Sequence, residues 1–341
     1  MQKELPKHYH NVNFLNIFQT QTFSKQLLFA ILGLLAMVFI SKIDYRFYQK
    51  FYKHAWILSV ILLVAVKLIG TEVNGAKRWI SITKTLSFQP SEVVKFLMII
   101  FYAAILVKNR DELKLYGKGF IKHFLYLVPI IGLLILEPHL SASMVIIGIV
   151  SIMMIVAGCK FKHFLLTGLG FGVPLLGAAI AFSPYRLERF VSFLDPWKDA
   201  TDSGWQVIQS LYAIGPGGLF GLGLGNSIQK HFYLPEPQTD FIFAIISEEL
   251  GFVGILIITA CYIALFYNVV KISLETKDLF GKYLAFGLIL ELILQTLLNL
   301  LVVVGLIPVT GVTLPFLSYG GSSLLTCLIM IGIILNISKN K

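Results

Sequence analysis

Apolar runs long enough to cross a bilayer recur through this sequence, at 26–41, 55–70, 91–107, 120–136, 140–158, 163–183, 241–270, 282–305 and 318–337. Hydrocarbon offers no partner to a backbone N–H or C=O, so each run must satisfy its own polar groups as a helix of about 20 residues. That constraint leaves one architecture, an all-α polytopic membrane helix bundle of about nine transmembrane helices. No polar gap of domain size interrupts the runs. Residues 25–341 therefore read as a single membrane domain behind a polar N-terminal segment, 1–24, which lacks the apolar core and cleavage site of a signal peptide. Composition agrees, with 57% hydrophobic and 13% charged residues and a mean hydropathy of +0.80.

The net charge of +10 does not point to nucleic acid, because the basic residues sit mainly in the connections between apolar runs. Counted on alternating sides, sixteen Lys and Arg fall on one side, from Lys42 and Arg46 to Lys341, and ten on the other. The richer side is cytoplasmic by the positive-inside rule, which puts the C-terminus in the cytoplasm and the long segment 184–240 outside. Cys159, Cys261 and Cys327 lie in or beside apolar runs and read as small hydrophobes rather than a disulfide or metal framework.

Segment 184–240 carries the most unusual local chemistry. Gly204–Tyr212 has the apolar spacing of a short interfacial helix, and the glycines from Gly215 to Gly225 call for a backbone that turns and approaches something closely. Leu234-Pro235-Glu236-Pro237-Gln238-Thr239-Asp240-Phe241 then sets two prolines and two carboxylates before a membrane helix. Asp240 reads either as a helix N-cap or as a general base at the membrane boundary. Glu248 and Glu249 would lie about 12 Å deeper along that helix, paired with a buried cation or functional. Lys67, Glu92, Lys95 and Glu137 also place charge near or within apolar runs and imply a polar interior. Glu291, Gln295 and Asn299 recur every fourth residue, a stripe that either joins helices or lines a cavity. Lys77 and Arg78 beside Trp79 suit either a pyrophosphate or anionic membrane lipid. Thr310–Ser323 breaks the last apolar stretch with small and hydroxyl residues. No Walker loop, zinc-ligand spacing or Ser-His-Asp order occurs, so ATP-driven transport and zinc proteolysis find no support.

Several of these strings resemble the shape, elongation, division and sporulation (SEDS) family typified by FtsW, RodA and SpoVE. They are Val73–Trp79, Phe88–Glu92, Asp195-Pro196-Trp197, Gly204–Gln229, Leu234–Phe243 and Leu314–Ser323, within a resemblance running from about Gln26 to Ser338. It leans toward the FtsW and SpoVE branches. The resemblance implies a peptidoglycan glycosyltransferase of the bacterial cytoplasmic membrane that polymerises lipid II in division, elongation or sporulation, beside a class B penicillin-binding transpeptidase. It makes Asp240 the catalytic carboxylate and gives Glu92 and Lys95 a supporting role. Lys77, Arg78 and Arg189 become candidates to hold the pyrophosphate. No cofactor is implied, although a divalent cation could bridge the pyrophosphate and Glu236 or Asp240. Relatives usually carry ten membrane helices, and the family's apolar first helix is expected to be missing here. His139 and Ser141 stand where many relatives have Asp and Gly, so no role of that Asp carries over. Two other classes stay open: a transporter that flips lipid II, which the buried charges suit, and a non-catalytic scaffold for a transpeptidase, which the missing first helix makes more credible here. Absence of an inverted repeat argues against the first, and the intact motif at Asp240 against the second.

Overall fold

The computed structural model describes residues 12–73, 76–81, 87–181, 187, 191–200, 204–231 and 233–340. In chain order it contains α1 (Val12–Ile40), α2 (Arg46–Lys50), α3 (Tyr52–Ile69), β1 (Thr71–Val73), β2 (Ala76–Ser81), β3 (Ser87–Phe88) and α4 (Pro90–Lys108). A π-helical segment, Tyr116–Ile121, leads into α5 (Lys122–Leu125) and α6 (Leu127–Leu136), followed by α7 (Leu140–Ala157). Then come α8 (Phe161–Thr167), a second π segment (Gly168–Gly172), α9 (Val173–Ala181) and α10 (Trp205–Ile214). The last three are α11 (Ile242–Glu275), α12 (Leu279–Val303) and α13 (Gly321–Lys339).

Among the described residues, eight helical stretches are long and apolar enough to span a membrane, and they coincide with eight of the nine expected runs. The ninth, 163–183, is helical from Phe161 to Ala181 through α8, the π segment and α9, while residues 182 and 183 lie outside the described set. The chain start differs from expectation. Helix α1 begins at Val12, inside the segment expected to be polar and separate, although its membrane-spanning part starts only at Thr22. Helix propagation explains this, since each added residue gains a backbone bond once the apolar part has nucleated the helix.

Burial sorts the helices. In α4, 78% of the spanning window is buried, against 6% in α1, so α4 is the central post and α1 a peripheral helix lying along α13. Its flanks Val94, Met98, Ile99 and Tyr102 pack in one core with Ile146 and Met153 of α7 and Leu284, Leu288 and Ile289 of α12. At one end of the bundle, Asn336 of α13 accepts from Tyr45 N (3.0 Å) and donates to Ser41 O (3.0 Å), closing the turn after α1. At the opposite end a small antiparallel sheet in the order β1-β2-β3 caps the bundle, with Glu72 opposite Lys77 and Ile80 opposite Phe88. The sequence reading contained no strands, because motif residues rather than alternation marked this stretch.

Helix α11 is broken at Gly251, whose backbone (φ 63°, ψ −162°) is one that essentially only glycine adopts. The break frees backbone groups at membrane depth, and the glycine-rich segment folds against it to take them up. Leu222 N and Gly223 N donate to Glu248 O and Glu249 O (2.9 and 3.0 Å); Phe252 N and Val253 N donate to Gly218 O and Leu219 O (2.9 and 3.1 Å). The close approach expected of the glycines is real. A Cβ on Gly221 would stand 2.1 Å from Glu249 O, and one on Gly251 2.4 Å from Gly221 N. Gly251→Ala is therefore expected to cost about 1–3 kcal/mol and lower the melting temperature of the protein in detergent. Gly132→Ala, where an added Cβ meets nothing within 4 Å, should not lower it; equal melting of the two variants would contradict this account of the kink.

Candidate active site

The site is built where two non-helical segments meet above the core. In the first, Pro235 and Pro237 restrict the chain around Glu236, which takes a left-handed conformation (φ 51°) and whose carbonyl accepts from Thr239 N (3.3 Å) and Phe241 N (3.4 Å). The second, residues 310–320, is unwound between α12 and α13. Unwound backbone is tolerated here because protein partners receive it. Tyr319 N donates to Gln238 O (2.8 Å), and Ser318 Oγ donates to Thr239 O (2.6 Å) while accepting from Leu314 N (2.7 Å). Tyr262 OH donates to Pro315 O, and Gln26 of α1 closes the far side through Ser318 O (3.2 Å) and Gly320 N (3.3 Å).

Asn299 pins both segments from below. Its Nδ2 donates to Asp240 O (2.7 Å) and Val312 O (2.8 Å) from a position 1% exposed. Asp240 is left half-buried beside Gly311 (φ 68°), where an added Cβ would lie 3.4 Å from Asp240 Oδ2. A glycine there keeps space open against the carboxylate. The N-cap position of α11 falls on Phe241, not on Asp240. Glu236 is exposed and accepts from Thr239 Oγ1 (3.1 Å).

One turn and more below, the charged residues gather. Lys95 Nζ lies 2.8 Å from Glu92 Oε1 and 3.5 Å from Glu291 Oε1, and Gln295 Nε2 donates to Glu291 Oε1 (3.0 Å). The stripe Glu291–Gln295–Asn299 thus joins the ion cluster on α4 to the backbone of Asp240, which is the helix-joining role rather than a mere surface pattern. Glu248, buried, and Glu249, partly buried, anchor the end of the glycine segment. Glu248 accepts from Ser227 Oγ (2.5 Å), Ile228 N (2.9 Å) and Gln229 N (3.3 Å), and Glu249 pairs with Lys230 (2.7 Å).

Two of the cation candidates, Lys77 and Arg78, are neighbours on β2. Lys77 is exposed on β2, while neighbouring Arg78 donates to Pro138 O in the link between α6 and α7. Arg189 lies outside the described residues, as does Asn74 of the same motif as Lys77. Among the described residues no group of three or more His, Cys, Asp and Glu side chains could hold a metal ion. Sequence reasoning overlooked Asn299 as a holder of Asp240, although its four-residue spacing from Gln295 was the available signal.

Fold and site together define a multi-pass helical membrane protein whose one-end site combines a half-buried carboxylate with unwound, protein-covered backbone. The chain belongs to the cell cycle protein family of FtsW, RodA and SpoVE, whose family model matches residues 9–341. It is 44% identical over 317 residues to stage V sporulation protein E of Bacillus subtilis, covering 92% of this chain and 86% of that one. It is 42% identical over 312 residues to a probable peptidoglycan glycosyltransferase FtsW of Saccharophagus degradans, covering 90% and 80%. Among solved structures it resembles a chain from a study of structural coordination of polymerization and crosslinking by a peptidoglycan synthase complex (TM-score 0.78, 30% identity, 94% and 90% covered). The rod shape determining protein RodA of Thermus thermophilus is also similar (TM-score 0.69, 27% identity, 93% and 87% covered).

Breaking the ion cluster should be costly. Lys95→Met leaves the carboxylates of Glu92 and Glu291 without their shared ammonium and is expected to cost about 3–5 kcal/mol. Adding Glu291→Gln should recover part of the loss in melting temperature; no recovery would mean that Lys95 acts through packing alone.

Proposed function

We propose that this chain is a peptidoglycan glycosyltransferase that polymerises lipid II at the outer face of the bacterial cytoplasmic membrane, with Asp240 as its general base. The observation that carries the reading is the placement of Asp240: half-buried at a helix start, its backbone held by Asn299, its carboxylate facing the space that Gly311 leaves. Partial desolvation suits a carboxylate to taking a proton from a sugar hydroxyl, worth about 10² to 10⁴ in rate. The 4-hydroxyl of one lipid II attacks the anomeric carbon of a second, prenyl-linked chain. Asp240 takes the hydroxyl proton, the C–O bond to the pyrophosphate carrier breaks with its electron pair on the phosphate oxygen, and the anomeric centre inverts. Lys77, Arg78 and Arg189 offset the charge that builds on the pyrophosphate.

The names of the relatives support this activity, and the charge count supports the orientation, with the richer side of sixteen Lys and Arg, C-terminus included, in the cytoplasm. The likeness to a chain of a peptidoglycan synthase complex supports a class B transpeptidase as the working partner. The decisive experiment supplies lipid II to the purified protein with its transpeptidase and compares glycan polymer from wild type and Asp240→Asn. A loss of about 100-fold or more is expected. Equal polymer from both ends the assignment.

A further inference from the structure

Between α6 and α7 lies the short link Glu137-Pro138-His139, at the same end of the bundle as Asp240. The link is tied to the site. Ser141, in the first turn of α7, donates to Thr310 O, and neighbouring Gly311 borders the Asp240 carboxylate. Arg78 grips the link through Pro138 O. Glu137 is only 3% exposed, and its Oε1 has no hydrogen-bond partner; His139 is 7% exposed, and its Nδ1 has none. A buried carboxyl with an unpartnered oxygen costs free energy and calls for an explanation beyond packing.

The charged groups that face this link are cations. Lys67 of α3 and Arg78 of β2 face Glu137, while Arg78 and Lys95 of α4 face His139. Burial still dominates, pushing the Glu137 carboxyl up to about 8 against the pull of Lys67 and Arg78. Burial, then Arg78 and Lys95, push His139 down to about 3. At neutral pH the link therefore presents a neutral carboxylic acid and a neutral imidazole.

We propose that Glu137 is a second functional carboxyl of this site, acting as a neutral acid whose O–H donates a hydrogen bond to a phosphate oxygen held by Arg78. The proposal rests on the reading of the chain as a transferase acting on a pyrophosphate-linked sugar. A phosphate is the ligand chemistry that fits. An acid O–H and a guanidinium converge beside the start of the 18-residue α7, whose first-turn N–H groups also favour an anion. To admit it, Arg78 exchanges Pro138 O for the phosphate and uncovers Glu137. The proton stays on Glu137 throughout, so the hydrogen bond stabilises the leaving pyrophosphate without a further transfer step.

Thermal stability reads the protonation directly, without substrate. The folded chain keeps the Glu137 proton up to about pH 8, whereas the unfolded chain releases it near the ordinary value of 4.5. Between these values the folded state binds one proton more, so stability falls as pH rises and levels off above the folded value. The test follows the full chain in detergent from about pH 5 to about pH 9, comparing wild type, Glu137→Gln and Glu137→Leu, with polymer formation from lipid II assayed in parallel. Wild-type melting temperature should fall across this window more than that of Glu137→Gln. Glu137→Leu should lose about 100-fold in polymerisation rate. Glu137→Gln, which keeps a neutral donor, should lose about 10-fold or less, and with it the alkaline fall of wild-type activity near the Glu137 value. Parallel melting profiles of wild type and Glu137→Gln would overturn the proposal, as would equal activity of the Gln and Leu variants. Normal polymer from Asp240→Asn would instead sink the catalytic reading of Asp240, leaving the melting profiles to judge Glu137 alone.

Discussion

Every feature of this protein depends on one constraint, that a backbone polar group at membrane depth must find its partner in protein. Regular helices meet it within themselves. Where the chain leaves the helix, at the Gly251 break and in residues 310–320, other segments have to supply the missing bonds. The glycine-rich segment does so at the break through paired backbone bonds to Glu248, Glu249, Phe252 and Val253. The segment around Asp240 does so for residues 310–320, with Ser318, Tyr319 and Asn299 as intermediaries. A site thereby arises from the same requirement that holds the bundle together.

The two irregular segments differ in what they are built to hold. At the glycine segment close approach rules, since added Cβ atoms at Gly217, Gly221 and Gly251 would each fall within 2.4 Å of backbone. There the chain is locked, and Glu248 and Glu249 anchor its end. Near Asp240 the contact is looser, and Gly311 leaves room beside the carboxylate. Such support beside the carboxylate suits the general-base role proposed for Asp240, because that chemistry needs a fixed geometry around the reacting group.

The buried charges form a ladder rather than isolated pairs. Lys95 joins Glu92 and Glu291, Gln295 joins Glu291, and Asn299, one turn on, holds Asp240 and Val312. Ion pairs in low dielectric stabilise little on balance, but they penalise any packing that separates the partners. The ladder therefore fixes the register of α12 against α4, and with it the height of Asp240.

Apolar run length determined the membrane class and eight of the spans, since in lipid the backbone permits no other reading of such runs. Motif residues also located Asp240, the glycine segment and the unwound stretch before α13. Other features were decided only in three dimensions: the strand cap formed by β1, β2 and β3, the early start of α1, the partners of Glu248 and Glu249, and the neutral pair Glu137 and His139 beside Thr310. The strands pair across only three to eight positions and α1 extends by local propagation, but the partners of Glu248 and Glu249 lie 19 to 22 positions away, and the groups that face Glu137 and His139 come from other helices and from β2. Local sequence carries hydrophobicity and backbone preference, but the desolvation and facing charges that set a buried side chain's chemistry come from elements that only the folded bundle brings together.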